Sequence, residues 1–369
     1  DQCIAGQGGE ELHLEQFERQ RLTGLPGGAQ ARHQRVDAQA GDGEIVEQDR
    51  RVLVARREHR VVALAVFPQF DQDFYTELVT RTMILAIFAI SLDLLLGYTG
   101  LISFGHAAWF GIGGYVLALL GTQYQVTNSL WLTPPAAMAI TALAAFIVGL
   151  FVLRTRGMFF IMVTLAFAQI FYFLFHDVKA LGGSSDGLNL RGKPSTSING
   201  WIPFELTETN TLYYFVMALM VAVLMFMALL LRSPLGRALQ GIRENEHRMA
   251  AIGFPVLRYK LAAFTLSGSL AGLAGYLYAV LGGGVNPELL SWHQSADVLL
   301  MVILGGMGQL WGGVIGAFSF VLLQELLSSF TNLWHLWMGT VIVLLVLFLP
   351  DGMISLVARV KALLRGGRP

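Results

Sequence analysis

Residues 232–260 read RSPLGRALQGIRENEHRMAAIGFPVLRYK, a polar and basic island between the apolar runs 212–231 and 261–281. Wound as a helix, each run is long enough to cross a hydrocarbon core about 30 Å thick. The island carries six Lys or Arg against two Glu, and an excess of Lys/Arg in a short loop marks the cytoplasmic side. Two crossings joined by a cytoplasmic turn place the chain in the membrane class, and the turn is long and structured enough to dock something.

The rest of the sequence agrees. Apolar residues make up 54% of the chain and charged ones 14%, with a net charge of zero. That excludes a basic field for nucleic acid and fits a lipid-embedded protein. The single Cys3 cannot form an internal disulfide, and no Cys/His cluster has metal-ligand spacing. Hydropathy predicts spans at 78–98, 101–120, 130–153, 158–175, 212–231, 259–281 and 333–349. A further stretch, 296–327, is predicted to break at the glycines of 305–308. The expected fold is an all-α polytopic membrane protein with about 8–10 transmembrane or partly re-entrant helices.

Charge then orients the spans. Arg154 and Arg156 form one inside turn, 232–260 a second, and the tail Arg359, Lys361, Arg365 and Arg368 a third. The connection 176–210 holds three Lys/Arg against four Asp/Glu and falls outside. All loops agree if 296–327 contributes an even number of crossings. The 78–98 helix then enters from outside, and a further span is expected before it. Only 61–67 is available, too short and preceded by Arg56, Arg57 and Arg60, so 61–77 reads as the remnant of a first span or a loop. Residues 1–60 hold eleven acidic residues, nine Arg, eight Gln, no Lys and no Met. This composition suits an upstream extension from a wrong frame or start better than a regulatory domain or a disordered tail. The membrane-spanning body is expected over 78–353, with a basic cytoplasmic tail at 354–369.

Within the island, Ser233-Pro234 is a helix start and Leu235, Leu239 and Ile242 recur on one face. Asn245 is expected to cap a second short helix, 246–252, with Gly253 as left-handed terminator and Pro255 blocking continuation. Met249 and Ile252 beside Arg248 suit a groove on another protein. The competing reading is a loop lying on lipid headgroups, against which stand its small apolar face and the charges of Glu244 and Glu246.

The run RENEHRMAAIG at 243–253, followed by RYKL at 258–261, resembles the coupling loop of permease subunits of branched-chain amino acid ABC importers. So do LGYTG at 96–100, SFGHAA at 103–108, GGSSDGL at 182–188, LGGMG at 304–308, GGVIGA at 312–317 and LPDG at 349–352. The resemblance implies a helical permease of the bacterial cytoplasmic membrane. Its expected partners are a second, homologous permease, two cytoplasmic ATPases and a periplasmic solute-binding protein. It implies ATPase coupling through Arg243, Glu244, Asn245, Glu246, Met249, Ala250, Ala251 and Gly253. ATP would be used by the partner, no cofactor would be bound by this chain, and selectivity would reside largely in the binding protein.

Candidates for the translocation path are Asp93, Gly97, Gly105 and His106. A carboxylate on an apolar helix is costly and functional by default, yet the related permeases carry Asn at the place of Asp93, so a polar packing role stands beside it. The six glycines between 97 and 114 allow close backbone approach or helix opening. For Gly111, Gly113 and Gly114 plain helix packing fits equally well, and His106 reads either as a path residue or as a histidine satisfied by a neighbouring helix. Gln169, Gln324, Glu325 and Asp297 are weaker candidates. The segment 187–194, GLNLRGKP, imitates a phosphate loop but has Pro194 where a Ser/Thr would hold Mg²⁺, and no strand–loop–helix setting. The chain is therefore expected not to be an enzyme. Rival functions are a urea or short-amide ABC permease and, from other classes, an ion-coupled secondary transporter or a non-transporting scaffold.

Overall fold

The computed structural model describes residues 73–182, 186–196, 208–331, 333–348 and 352–353. The chain divides into the units Asp1–Phe70 and Asp71–Pro369. The first unit, with the expected 1–60 extension and the short 61–67 run, lies outside the described residues, as do Gly183, Ser184, Ser185, Leu349, Pro350, Asp351 and the basic tail.

In chain order the helices are α1 (Asp73–Thr99), α2 (His106–Ala118), α3 (Thr133–Val152), α4 (Met158–Asp177), α5 (Thr209–Arg232), α6 (Pro234–Glu244) and α7 (Glu246–Ala251). They continue with α8 (Val256–Gly282), α9 (Trp292–Gly305), α10 (Gly312–Phe330) and α11 (Trp334–Phe348). Among the described residues, six helices are long and apolar enough to cross a membrane: α1, α3, α4, α5, α8 and α10. The chain is a multi-pass, all-α membrane protein.

Its centre is made by α1 and α8, whose apolar windows are 83% and 72% buried, against 22% for α4 and 28% for α5. Small residues explain why α8 is central. Gly268, Gly272 and Gly275 lie along the helix at spacings that give it a face without side chains. Helix α3 packs on that face at Gly268 and Gly272, where a Cβ would meet Ala145 and Thr141, and α2 at Gly275, where it would meet the Phe110 carbonyl. Helix α2 comes so close that a Cβ on Gly113 would lie 2.0 Å from the Gly272 carbonyl oxygen. Every residue of α2 is buried, as befits a helix apolar on all sides. The glycines of α2 are thus packing residues in this arrangement. The outer helices turn apolar side chains such as Leu143, Phe151, Met162, Ile170, Met225 and Leu229 outward, a surface suited to lipid or to a second apolar subunit.

Two helix starts lie five residues from where hydropathy puts them. α1 begins at Asp73 rather than at 78, because Glu77 and Arg81 depress a hydropathy window without preventing a helix. α2 begins at His106 rather than at 101, because Gly100, at φ +73, ends α1. The non-helical stretch that follows is tied by side chains: Phe104 N–H donates to Thr164 Oγ1 at 3.3 Å and Gly105 N–H to Ser103 Oγ at 3.3 Å. Backbone without helical partners persists at this depth only with such acceptors. The 296–327 stretch is two helices, α9 and α10, parted at Gly306 and Gly308, both at positive φ.

The inside turns meet as charge counting expects. Arg156, between α3 and α4, lies 3.7 Å from Glu246 of α7. Gly97 at the end of α1 and Gly308 between α9 and α10 both lie against Arg243 of the island. The break between α9 and α10 thus lies at the same end of the bundle as the island and the α3–α4 turn.

On the opposite side the phosphate-loop imitation has another role. Leu188–Asn189 (β1) pairs antiparallel with Gly284–Val285 (β2), and a Cβ on Gly187 would lie 1.9 Å from the Val285 carbonyl oxygen. Its glycine serves backbone pairing.

Candidate coupling and translocation site

The island folds by its own local chemistry. Ser233 caps α6, its Oγ accepting from Gly236 N–H at 3.4 Å, and Ala238, Leu239 and Ile242 are buried beneath the helix. Asn245 caps α7, its Oδ1 accepting from Arg248 N–H at 2.9 Å. The other end of α7 is closed by two backbone bonds. Phe254 N–H donates to the Met249 carbonyl at 3.1 Å and Gly253 N–H to the Ala250 carbonyl at 3.0 Å. With Gly253 at φ +95, this is a Schellman closure, which needs a left-handed residue. One six-residue helix, too short to stand alone, is thereby held by a cap at each end.

Its C-terminal end and the turn that follows expose mainly small and apolar residues. Ala250, Ala251 and Gly253 are exposed, and Ile252, Leu257 and Phe254 are 67%, 47% and 38% exposed. Glu244, His247 and Arg248 are also exposed. Met249 instead folds back over Gly241, where a Cβ would lie 3.0 Å from its sulfur.

Glu246 faces the membrane body. It accepts from Lys260 Nζ of α8 at 2.8 Å and pairs with Arg156 at 3.7 Å. Partial burial disfavours its charge. The Lys260 hydrogen bond and charge, with Arg156 and His247, outweigh that and hold the carboxyl below the usual glutamate range. Arg243, at the last turn of α6, also points inward and donates from Nη1 to the Gly97 carbonyl. Between these two attachments lies a cavity of about 460 Å³, lined by Thr99, Gly100, Arg156, Ile242, Arg243, Glu246 and others.

The path candidates fall into two groups. Asp93 is buried, and its Oδ1 accepts from Gly308 N–H at 2.8 Å. Gly97 lies in the same spot; a Cβ there would be 2.2 Å from Asp93 Oδ1 and 2.4 Å from Gly308 N. His106 and Gly105 are elsewhere. His106 Nε2 is 2.9 Å from Ser91 Oγ of α1 and 3.5 Å from Ser267 Oγ of α8. Ser91 donates to the Phe88 carbonyl and Ser267 to the Ser91 carbonyl. Both hydroxyl protons being committed, Nε2 carries the proton and donates it to the nearer oxygen, Ser91 Oγ. His106 Nδ1, buried, has no partner among the described residues. A Cβ on Gly105 would lie 2.4 Å from the Thr164 carbonyl oxygen, so Gly105 packs on α4. Asp297, in the first half of α9, lines a second cavity of about 590 Å³ with Gln169, Tyr172, His293 and His335.

Sequence reasoning missed Gly308, Lys260, Arg156, Phe254 and Leu257 as members of these clusters. Gly308 was visible as a helix break and Arg156 as a topogenic charge, but pairing each with Asp93 or Glu246 needs the folded chain.

The comparisons with known proteins converge. A family described as "Branched-chain amino acid transport system / permease component" matches residues 74–349. The chain is 33% identical over 298 residues to the high-affinity branched-chain amino acid transport system permease protein LivM of Salmonella typhimurium, covering 76% of this chain and 70% of that one. It is 32% identical over 334 residues to the LivM of Escherichia coli, covering 85% and 77%. It is 22% identical over 285 residues to the permease protein LivH of Salmonella typhimurium, covering 73% and 91%. No solved structure gives a significant match. A multi-pass helical body, an island capped at both ends of α7 and a family match across the whole described membrane region lead to one conclusion: the chain belongs to the family of permease components of branched-chain amino acid transport systems.

Proposed function

We propose that this chain is the permease subunit of an ATP-driven importer of branched-chain, hydrophobic amino acids in a bacterial cytoplasmic membrane. A second, homologous permease completes the path, a periplasmic binding protein delivers the solute, and cytoplasmic ATPases dock on α7. Similarity to both LivM and LivH of one organism supports the paired permease. The apolar outer faces of α3, α4 and α5 supply surface for it and for lipid.

The observation that carries the reading is the exposed apolar end of the island, at the close of α7 and the turn into α8. Three large apolar side chains, Ile252, Phe254 and Leu257, are exposed on the side that charge counting reads as cytoplasmic, and Glu244, His247 and Arg248 of the same island are exposed as well. A rigid apolar knob with a polar rim is what a groove on a partner receives. Ala250 and Ala251 keep the helix slim enough to enter one. Alternating access then follows from motion of the docked partner, and the energy comes from its ATP.

The test is co-purification. With the cognate ATPase co-expressed, Ile252→Glu is expected to insert normally and to lose the ATPase, because a carboxylate replaces the centre of the apolar knob. Retention of the ATPase at the wild-type ratio would remove the docking assignment.

A further inference from the structure

Besides the buried apolar face of α6, two polar side chains tie the docking island to the membrane body, one on each side of the Asn245 cap. Glu246 binds the start of α8 and the α3–α4 turn. Arg243 binds something different: the place where α1 ends and the α9–α10 pair is broken. Its Nη1 donates to the Gly97 carbonyl, and a Cβ on Gly308 would lie 2.9 Å from that same nitrogen. Gly308 in turn donates its N–H to Asp93 Oδ1 at 2.8 Å. Gly97 and Gly308 approach so closely that neither could carry a side chain in this geometry. Four residues from three parts of the chain, Arg243, Gly97, Asp93 and Gly308, thus form one junction.

Resting on the docking function proposed above, we propose that Arg243 is the positioning residue that carries displacement of the α6–α7 island to the α9–α10 break. The chemistry suits the task. A guanidinium has a planar fork of donors on a long stem and stays charged, so it can hold a backbone carbonyl while the helix that bears it shifts. Gly97 and Gly308 present only backbone to it, and backbone moves with its helix as side chains need not. The turn at 306–311 is the natural recipient. It joins two helices without continuing either, and Gly306 and Gly308 at φ +112 and +75 leave its backbone conformations open. The cavity of about 460 Å³ lies between the Arg243 and Glu246 attachments, so a tilt of the island about one of them changes its shape.

The experiment uses the full complex with both permeases and the ATPase in nanodiscs. In a Cys3→Ser background, nitroxide labels are placed at Met307→Cys, on the turn, and at Phe151→Cys on α3, both exposed. The distance between them is measured with and without nucleotide, alongside solute moved per ATP in liposomes. With Arg243 intact, the distance is expected to change with nucleotide. With Arg243→Ala the ATPase is expected to stay bound, the distance to stop responding, and solute moved per ATP to fall by about tenfold. Arg243→Lys restores part of the response. Gly308→Ala reaches the same junction from the other side and is expected to uncouple likewise, which covers the case of an unstable Arg243→Ala protein. A distance response and transport ratio unchanged in both Arg243→Ala and Gly308→Ala would overturn the proposal. Loss of the ATPase from Arg243→Ala would also overturn it, placing Arg243 in the docking surface instead. Retention of the ATPase by Ile252→Glu would sink the docking function itself, separately from the link.

Discussion

At the scale of single residues, Asp93 illustrates how the structure sharpens a sequence suspicion. An acidic group in an apolar helix suggested a path or a packing role, and the structure shows it as an acceptor for Gly308 N–H. An amide oxygen accepts as well as a carboxylate oxygen. Asp93→Asn is therefore expected to keep the wild-type melting midpoint in detergent. Asp93→Leu leaves the buried Gly308 N–H unpaired and is expected to cost about 1–3 kcal/mol. Fluorescence-detected size exclusion after heating separates them, and an Asn variant as unstable as the Leu variant would mean that charge itself is needed. What was legible at this scale was local chemistry. Ser233 and Asn245 as caps and Gly253 as terminator could be read because each bonds within a few residues. The Arg243–Gly97 and Asp93–Gly308 bonds join residues 146 and 215 positions apart, and no periodicity carries that information.

At the scale of elements, hydropathy located the spans, because a bilayer demands long apolar helices whatever their tertiary partners. It could not locate the start of α2, where Gly100 and the side-chain acceptors Ser103 and Thr164 decide the outcome. Nor could it separate glycines that open a path from glycines that let helices touch. The α2–α8 crossing settles this for Gly113, which leaves no room for a Cβ against Gly272. Gly113→Leu is expected to force the two central helices apart and destabilise the protein by at least about 1–3 kcal/mol. Gly282, at the end of α8 with nothing near its Cβ position, supplies the control, since Gly282→Ala is expected to melt as wild type. Equal melting of both variants would show that the crossing is looser than this geometry requires.

At the scale of the whole molecule, one design principle connects the parts. Two buried helices, α1 and α8, form the centre, and Arg243 and Glu246 tie the island to one end of each. The class of the protein was legible from the basic island and from motifs spread over 96–352. The joining of island and helix break was not, because residues read as two separate sets, one for docking and one for the path, meet at Gly97. The central claim is that this chain transports only when a separate ATPase acts on α7. It is tested most directly by leucine uptake into proteoliposomes containing the permease pair and binding protein, with and without the ATPase, for the wild type and for Ile252→Glu. Uptake is expected only with ATPase, ATP and wild-type α7 together. Equal uptake by the permeases alone, or by Ile252→Glu, would contradict it.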